Sequence, residues 1–455
     1  MRSSLFPIPQ LPSATFPSWG RQFLSITLDV KIRMMAAFWI FGLINNVSYV
    51  IILSAALDLV GPLIPKGLVL VVDVFPSFLV KSIAPYFLIH KVSYPIRIII
   101  MCVLSAGGLL TIALSQQNQI ILKLSGVVFA SISSGLGEMS LLGLTHFYGP
   151  SSLAAWGSGT GAAGIVGAGL YLLLTSILRL SVRSSLLSSA TLPFIMPLAF
   201  FCVLPQGPLN RKSQMDYAPL LHAPILDEDG TGSHCSDETP HSMPITDNST
   251  NSHSNIVSSH GHNTVPNELS TKIRYLRSLF LPYMLPLLLV YIAEYTINQG
   301  ITPTLLFPLD KTPFSSYRSF YPTYAFLYQT GVFISRSSLP FFTLNSLYIP
   351  SLLQVLNLVL LTMQALYFFL PFVEIIFVIT FWEGLLGGAV YVNTFAAIMR
   401  NRNGEEREWS LAATTVSDSA GILIAGIIGI FIEPQLCEWN IRYKRPWCQE
   451  AGGSS

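Results

Sequence analysis

The chain has 455 residues, 51% of them hydrophobic and only 11% charged, with a formal net charge of +2. A soluble domain carries roughly 25% charged residues because Lys, Glu, Arg and Asp do most of the solvating. The deficit excludes an ordinary soluble protein and reads as surface facing hydrocarbon. The near-balanced charge, with no basic stripe interleaved with aromatics, excludes nucleic acid as a partner.

Residues 1–33 carry Pro7, Pro9, Pro12 and Pro17 among Ser and Phe, with no apolar run before a small-residue cleavage site. They read as a cytoplasmic tail and not a signal peptide. Apolar stretches long enough to cross hydrocarbon then recur along the chain. Eleven are expected: 34–60, 67–89, 96–115, 119–147, 153–178, 184–204, 279–300, 320–339, 346–370, 372–399 and 410–433. The fold class is therefore an all-α polytopic membrane protein. Six helices (34–204) and five (277–433) form two bundles, followed by a C-terminal tail, 434–455.

Between the bundles, 205–276 is rich in Ser, His, Asn, Pro and Asp with almost no apolar periodicity. It is expected to be a disordered cytoplasmic loop, because it buries too little surface to offset its ordering entropy. The six-plus-five split around a long loop resembles the plan of major-facilitator carriers. Asp216, Tyr217, Leu220 and Leu221 in this loop fit both an acidic dileucine and a tyrosine sorting signal, the kind read by adaptor complexes. Asn248-Ser-Thr250 is a glycosylation sequon that a cytoplasmic loop leaves unmodified. Of the 25 Lys and Arg, fifteen fall on the side of the N-terminus, nine on the other, and Lys81 within a helix. This bias favours a cytoplasmic N-terminus. The basic run Arg442-Tyr-Lys-Arg445 falls on the side opposite to that rule.

The informative residues are charges inside apolar helices. Each costs at least ~2.5–3.5 kcal/mol at the bilayer centre, so they face protein or a wet interior. At 100° per residue, Ser131, Ser134, Glu138 and Thr145 share a stripe. Further stripes pair Glu294 with Asn298, Gln329 with Arg336, Glu383 with Gly387 and Thr394, and Thr414 with Asp418. Lys81 lies in the second helix, with Asp73 one face away. The deepest set is four acids (Glu138, Glu294, Glu383, Asp418) against two bases (Lys81, Arg336). Full ionisation leaves two anions unpaired, so some carboxyls are expected to hold a proton or a bound cation. The competing expectation is that these pairs simply pin helices together. Asn45 and Asn46 either interrupt the first helix or hydrogen-bond a neighbour.

Gly157-x-x-x-Gly161, Gly384-x-x-x-Gly388 and Gly421-x-x-x-Ala425-x-x-x-Gly429 permit close helix approach. The run Ser158–Gly164 lacks the Lys and Ser/Thr ending of a phosphate loop, so no nucleotide site is expected. Cys102, Cys202, Cys235, Cys437 and Cys448 have no metal-ligand spacing, so neither metal nor cofactor is expected. Cys437 and Cys448 are close enough in sequence to pair in an oxidising lumen, or to stay free. No G-x-S-x-G, H-E-x-x-H or protease-like carboxylate pair occurs, so an enzyme is not expected.

Several segments together carry a family resemblance: Gly42-Leu-Ile-Asn-Asn-Val-Ser-Tyr49 with Leu53-Ser-Ala-Ala56, Val128-Phe-Ala-Ser-Ile-Ser-Ser-Gly-Leu-Gly-Glu138 and Trp156-Gly-Ser-Gly-Thr160. Ala293-Glu-Tyr-Thr-Ile-Asn-Gln-Gly300, Gly331-Val-Phe-Ile-Ser-Arg-Ser-Ser338 and Glu383-Gly-Leu-Leu-Gly-Gly-Ala-Val-Tyr-Val-Asn-Thr-Phe395 complete it. Together they resemble the battenin family from about residue 34 to 433. The resemblance implies a lysosomal or vacuolar membrane location and a carrier fold distantly related to equilibrative nucleoside transporters. It also implies ties to glycerophosphodiester export, lumenal pH homeostasis and basic amino-acid balance. It places Glu294, Arg336 and Asp418 where the family has charges sensitive to loss of function, and makes Leu220-Leu221 a counterpart of its loop signal. Animal members end in a prenylation-type Cys box, whereas Cys448 is followed by seven residues, so prenylation is not expected.

The leading expectation is export of a small solute, a glycerophosphodiester, with Lys81 or Arg336 meeting the phosphate. Glu138 or Glu294, with Asp418 as a further candidate, meets a cation or a proton. The alternatives are arginine-type amino-acid transport with pH regulation, and a non-transporting trafficking scaffold. The expected partners are the solute, protons, membrane lipids and adaptors.

Overall fold

The computed structural model describes residues 29–60, 66–87, 91–116, 119–209 and 268–448. The chain divides into two compact units: Met1–Pro205 with Lys272–Ser455, and Gln206–Thr271. Of the second unit only 206–209 and 268–271 are described. Most of the 205–276 loop, its sorting residues Asp216, Tyr217, Leu220 and Leu221, and the sequon lie outside the described residues.

The described residues are helical, with no strand among them. In chain order the helices are α1 (Val30–Val60), α2 (Lys66–Phe87), α3 (Tyr94–Leu114), α4 (Ile120–Tyr148) and α5 (Pro150–Leu172). Two short pieces follow, α6 (Val182–Ser189) and α7 (Ile195–Leu198), then α8 (Glu268–Leu279) and α9 (Leu285–Thr296). The rest are α10 (Phe320–Ser337), α11 (Tyr348–Tyr367), α12 (Val373–Asn401), α13 (Gly404–Thr414) and α14 (Val416–Arg442). Wider π turns at Phe280–Met284 and Ile297–Ile301 carry the chain past local breaks without ending a span, and one at Ala199–Val203 closes the span that began at Val182.

Ten segments among the described residues are long and apolar enough to cross a membrane. The eleventh expected span, 320–339, is present as α10 but is not apolar enough to count with them. It carries Gln329, Ser335 and Arg336, and packs against α5 and α12, so its polar side chains meet protein instead of lipid.

Two boundaries differ from expectation. Residues 268–276, assigned to the polar loop, belong to α8. Its start is anchored by Lys272 Nζ, which donates to the Tyr86 carbonyl at 3.4 Å, and by Tyr275 against the Trp409 ring at 6.3 Å. The last helix runs to Arg442 and not to 433. Beyond Pro434 it survives because Trp439 Nε1 and Arg445 Nη2 both donate to the Leu366 carbonyl at the end of α11, at 3.0 and 2.6 Å. The basic run at 442–445 thus supplies a cation to a helix C-terminus, where one is favourable. Cys437 and Cys448 are free thiols in contact with each other.

α1 packs along α5, α3 along α4, and α10 along α12; α2 lies between α4 and α14, and α9 between α11 and α14. Glycines set the closest of these approaches. A side chain at Gly384 would bring its Cβ within 2.1 Å of the Tyr328 carbonyl oxygen, and one at Gly421 within 2.7 Å of Tyr291 Cβ. The spacings read as small-residue packing motifs therefore do bring backbones together. Asn45 and Asn46 leave α1 unbroken. Asn45 Nδ2 donates to the Ser134 carbonyl of α4 at 3.2 Å, and Asn46 Nδ2 donates back to Gly42 at 3.1 Å.

Candidate functional site

A cavity with about 650 Å³ of atom-free space lies among α1, α2, α4, α9, α10, α12 and α14. Four of the six sequence-predicted charges line it: Lys81, Glu138, Arg336 and Asp418. The other two, Glu294 and Glu383, do not line the cavity.

Lys81 is 4% exposed. Its ammonium donates to Glu138 Oε2 at 2.5 Å, Asp418 Oδ1 at 3.1 Å and Ser419 Oγ at 2.7 Å. One cation on α2 thus ties two anions, one on α4 and one on α14. Three donors directed at three oxygens match the geometry of an ammonium, and the charge-assisted contacts compensate its desolvation. The second carboxylate oxygen of Glu138 accepts from Tyr391 Oη at 2.6 Å, whose oxygen in turn accepts from Trp156 Nε1 at 3.3 Å.

Arg336 is held differently. Its guanidinium stacks over the Tyr391 ring at 4.1 Å and donates to Thr160 Oγ1 at 2.9 Å and Tyr291 Oη at 3.0 Å, while its Nε has no hydrogen-bond partner. No carboxylate pairs with it among the ion pairs of the described residues. A planar cation held by hydroxyls and a ring face keeps its charge available to an anion.

Sequence reasoning left Asp73 out of the candidate site, yet it lines the cavity, 4% exposed, with Oδ2 unpartnered. Near Asp73, α2 gives up backbone hydrogen bonds without ending. Pro76 sits inside the helix and removes one backbone donor. One residue on, Ser131 Oγ of α4 accepts from the Ser77 N–H at 3.0 Å and donates to the Asp73 carbonyl. A hydroxyl from the neighbouring helix therefore stands where the i→i−4 bond of α2 would be. Gly135 makes room for it, since a Cβ there would lie 2.6 Å from Ser77 Oγ. The missed signal was the pair Pro76 and Ser131. Tyr49, on a mixed aromatic-polar face of the first helix, and Tyr291, Tyr295 and Tyr391, which sequence reasoning missed, line the cavity with the charges; Tyr291 and Tyr295 stack at 5.8 Å between centroids.

Glu294 and Glu383 lie behind this wall, 2% and 0% exposed. Glu294 Oε1 accepts from Tyr328 Oη, and Glu383 Oε1 accepts from Asn298 Nδ2 at 3.1 Å. The Oε2 atom of each is buried and unpartnered. No group of three or more His, Cys, Asp or Glu suited to a metal occurs among the described residues.

Membrane-crossing helices packed around a polar, charge-lined cavity define a multi-pass membrane protein with a carrier-like fold. The fold is similar to three solved transporters of low sequence identity. One is the human organic anion transporter MFSD10 (TM-score 0.54, 13% identity, covering 93% of this chain and 96% of that one). Another is the bacterial homolog of the human lysosomal transporter Spinster (0.52, 12%, 93% and 94%). The third is the proton:xylose symporter XylE (0.56, 11%, 94% of each). The helical architecture is thus the one these transporters share. The family described as CLN3 protein matches residues 36–439. The chain is 53% identical to Protein btn-1 of Neurospora crassa, over 98% of this chain and 97% of the relative. It is 48% identical to Protein BTN1 of Yarrowia lipolytica, over 91% and 97%. The chain belongs to the CLN3, or battenin, family.

Proposed function

We propose that this protein exports glycerophosphodiesters across the vacuolar or lysosomal membrane by alternating access between its 34–204 and 277–433 bundles. The observation that carries the reading is the unequal pairing of the two cavity cations. Lys81 is held by two carboxylates, whereas Arg336 is held only by hydroxyls and a ring. Arg336 is therefore the group that meets the phosphodiester, in preference to Lys81. A guanidinium fork suits two phosphate oxygens. Asp73 and the cavity tyrosines then receive a cationic head such as choline, because a quaternary ammonium binds ring faces and a nearby carboxylate. Lys81, Glu138 and Asp418 form the lock that opens and closes as the bundles move. The loop residues Asp216, Tyr217, Leu220 and Leu221 direct sorting through adaptors.

Uptake of labelled glycerophosphocholine into proteoliposomes of the purified chain tests the reading. Arg336→Ala lowers flux at least tenfold; unchanged flux in that variant removes Arg336 from the site. A second reading has one specific observation in its favour: the unpartnered Asp73 oxygen on the cavity suits the side chain of a basic amino acid, with Arg336 on its carboxylate. Competition between arginine and glycerophosphocholine in one flux assay separates the two. Flux that survives neutralisation of every cavity charge, with loss of function on deleting the loop, would favour a trafficking scaffold instead.

A further inference from the structure

We propose that Glu294 and Glu383 hold a single proton in a site behind the cavity wall, and that this proton is bound together with the solute anion on Arg336. The proposal rests on the transport reading above and adds the coupling ion and its place.

The site is built from four side chains. Glu294 of α9 lies on the bare backbone of Gly387 in α12, where any Cβ would come within 2.0 Å of its Oε2. Glu383 stands one turn before Gly387 on the same helix. Asn298 binds both, its Nδ2 donating to Glu383 Oε1 and to the Glu294 carbonyl, each at 3.1 Å. Tyr328 closes the remaining oxygen of Glu294. Each carboxyl is left with one buried oxygen that receives nothing. No Lys or Arg pairs with either residue among the ion pairs of the described residues.

The charged and titratable groups around the pair are few. α10 supplies Tyr328 and Arg336, α9 itself Tyr291 and Tyr295, α12 Tyr391, and α14 Asp418. α5 and α11 contain no Asp, Glu, Lys, Arg or His. The charges of α13 lie beyond the far end of α12. Among the described residues, Arg336 is the cation whose charge acts on Glu294, and its donors already point to Thr160 and Tyr291. Two carboxylates in one dry site cannot both remain ionised against a single shared cation. One proton removes a charge and turns an orphan acceptor into a donor. Two carboxylates and an amide also make too poor an oxygen shell for a dehydrated metal cation, which takes six or more ligands in typical hard-cation sites.

Coupling follows from Arg336 being shared. With the cavity empty, its charge stabilises an ionised Glu294. An anion seated on Arg336 cancels that field, and the pair then binds its proton more tightly. By linkage the proton must strengthen anion binding by the same factor.

The experiment uses the purified full chain. In proteoliposomes, uptake of glycerophosphocholine driven by a pH gradient is compared with solute exchange at equal pH on both sides. Glu383→Gln and, separately, Glu294→Gln are expected to lower gradient-driven accumulation at least tenfold more than they lower exchange. Equal losses in both modes, or a sodium gradient replacing the proton gradient in the wild type, overturn the proposal. Infrared difference spectroscopy in detergent gives a readout that does not depend on the solute. The wild type shows the carbonyl stretch of a buried protonated carboxyl, and both variants lose or shift it. Absence of that band from the wild type overturns the proton site even if transport is found. If the band is present but the protein moves no solute, the transport reading fails and the coupling fails with it, while the proton pair stands.

Discussion

Replacing Lys81 by Met tests whether the cavity charges form one electrostatic unit. The wild-type ammonium holds Glu138 Oε2 at 2.5 Å, Asp418 Oδ1 at 3.1 Å and Ser419 Oγ at 2.7 Å. Met fills nearly the same volume but leaves two anions facing each other. Breaking a buried pair by removing one partner costs about 3–5 kcal/mol. Part of the support remains, since Glu138 keeps Tyr391 Oη at 2.6 Å and Asp418 keeps the Ser419 N–H at 2.6 Å. Charge-assisted bonds of this kind contribute roughly 1.5–3 kcal/mol each, which places the loss at the lower end of that range. The triple variant Lys81→Met/Glu138→Gln/Asp418→Asn removes the stranded charges as well, and is expected to lie within about 1–2 kcal/mol of wild type, as neutral replacements of buried ion groups do. Unfolding of such a chain is not reversible, so the assay is the apparent melting midpoint in one detergent at one scan rate. Extrapolating size scaling to roughly 1–2 °C per kcal/mol, the single variant melts about 3–6 °C below wild type. The triple variant falls between the two. A single variant that melts with the wild type, or a triple that melts below the single, refutes the charge argument.

Gly384→Ala places a Cβ within 2.1 Å of the Tyr328 carbonyl and is expected to cost about 1–3 kcal/mol by overpacking α10 against α12. Gly107→Ala, with nothing within 4 Å, is the control and should melt at or above the wild-type midpoint. Arg336→Lys keeps the charge but loses the stack on Tyr391 and the fork to Thr160 and Tyr291; solute affinity should fall at least tenfold, measured by competition binding. Outside the spans, contact with Cys437 and burial raise the Cys448 thiol above its usual range. A raised value leaves less thiolate at pH 8, so alkylation of Cys448 is slow and should accelerate in Cys437→Ala. Mass spectrometry of iodoacetamide-treated protein checks it, and equal rates in the two proteins contradict the contact.

The spans were legible because lipid demands continuous apolar sequence, and that signal needs no tertiary information. Where protein and not lipid satisfies the helix, the signal failed. α8 starts in polar sequence and α14 ends in it, each held by side chains on or just beyond it that donate to backbone carbonyls elsewhere in the chain. Charge in an apolar helix identified Lys81, Glu138, Arg336 and Asp418, and the cavity collects them. Partner choice was not legible, because Lys81 meets residues 57 and 337 positions away. Nor did periodicity reveal which face of α12 lines the cavity. Tyr391 stands eight residues beyond Glu383, about 80° round the axis, which is enough to put the tyrosine on the cavity and the glutamate behind it. Asp73 was passed over because its exposure to the cavity depends on Pro76 and on a hydroxyl donated by another helix.

The formal charge of the cavity limits its solute further. Its ionisable lining consists of Asp73, Glu138 and Asp418 against Lys81 and Arg336, the tyrosines aside. As ionised groups these sum to one negative charge. A zwitterion such as glycerophosphocholine leaves that sum unchanged, placing its phosphate on Arg336 and its ammonium near Asp73. A purely anionic diester such as glycerophosphoinositol raises the imbalance to two among membrane-spanning helices. It must then bring a cation or a proton with it. If Glu294 and Glu383 take that proton, uptake of both diesters rises as pH falls on the loading side, and that of the anionic diester, which must bring its compensating charge, rises more steeply. Parallel pH profiles for the two solutes would mean that the cavity does not weigh the net charge of what enters. Arg336 would then be acting as a local phosphate clamp, indifferent to the carboxylates around it.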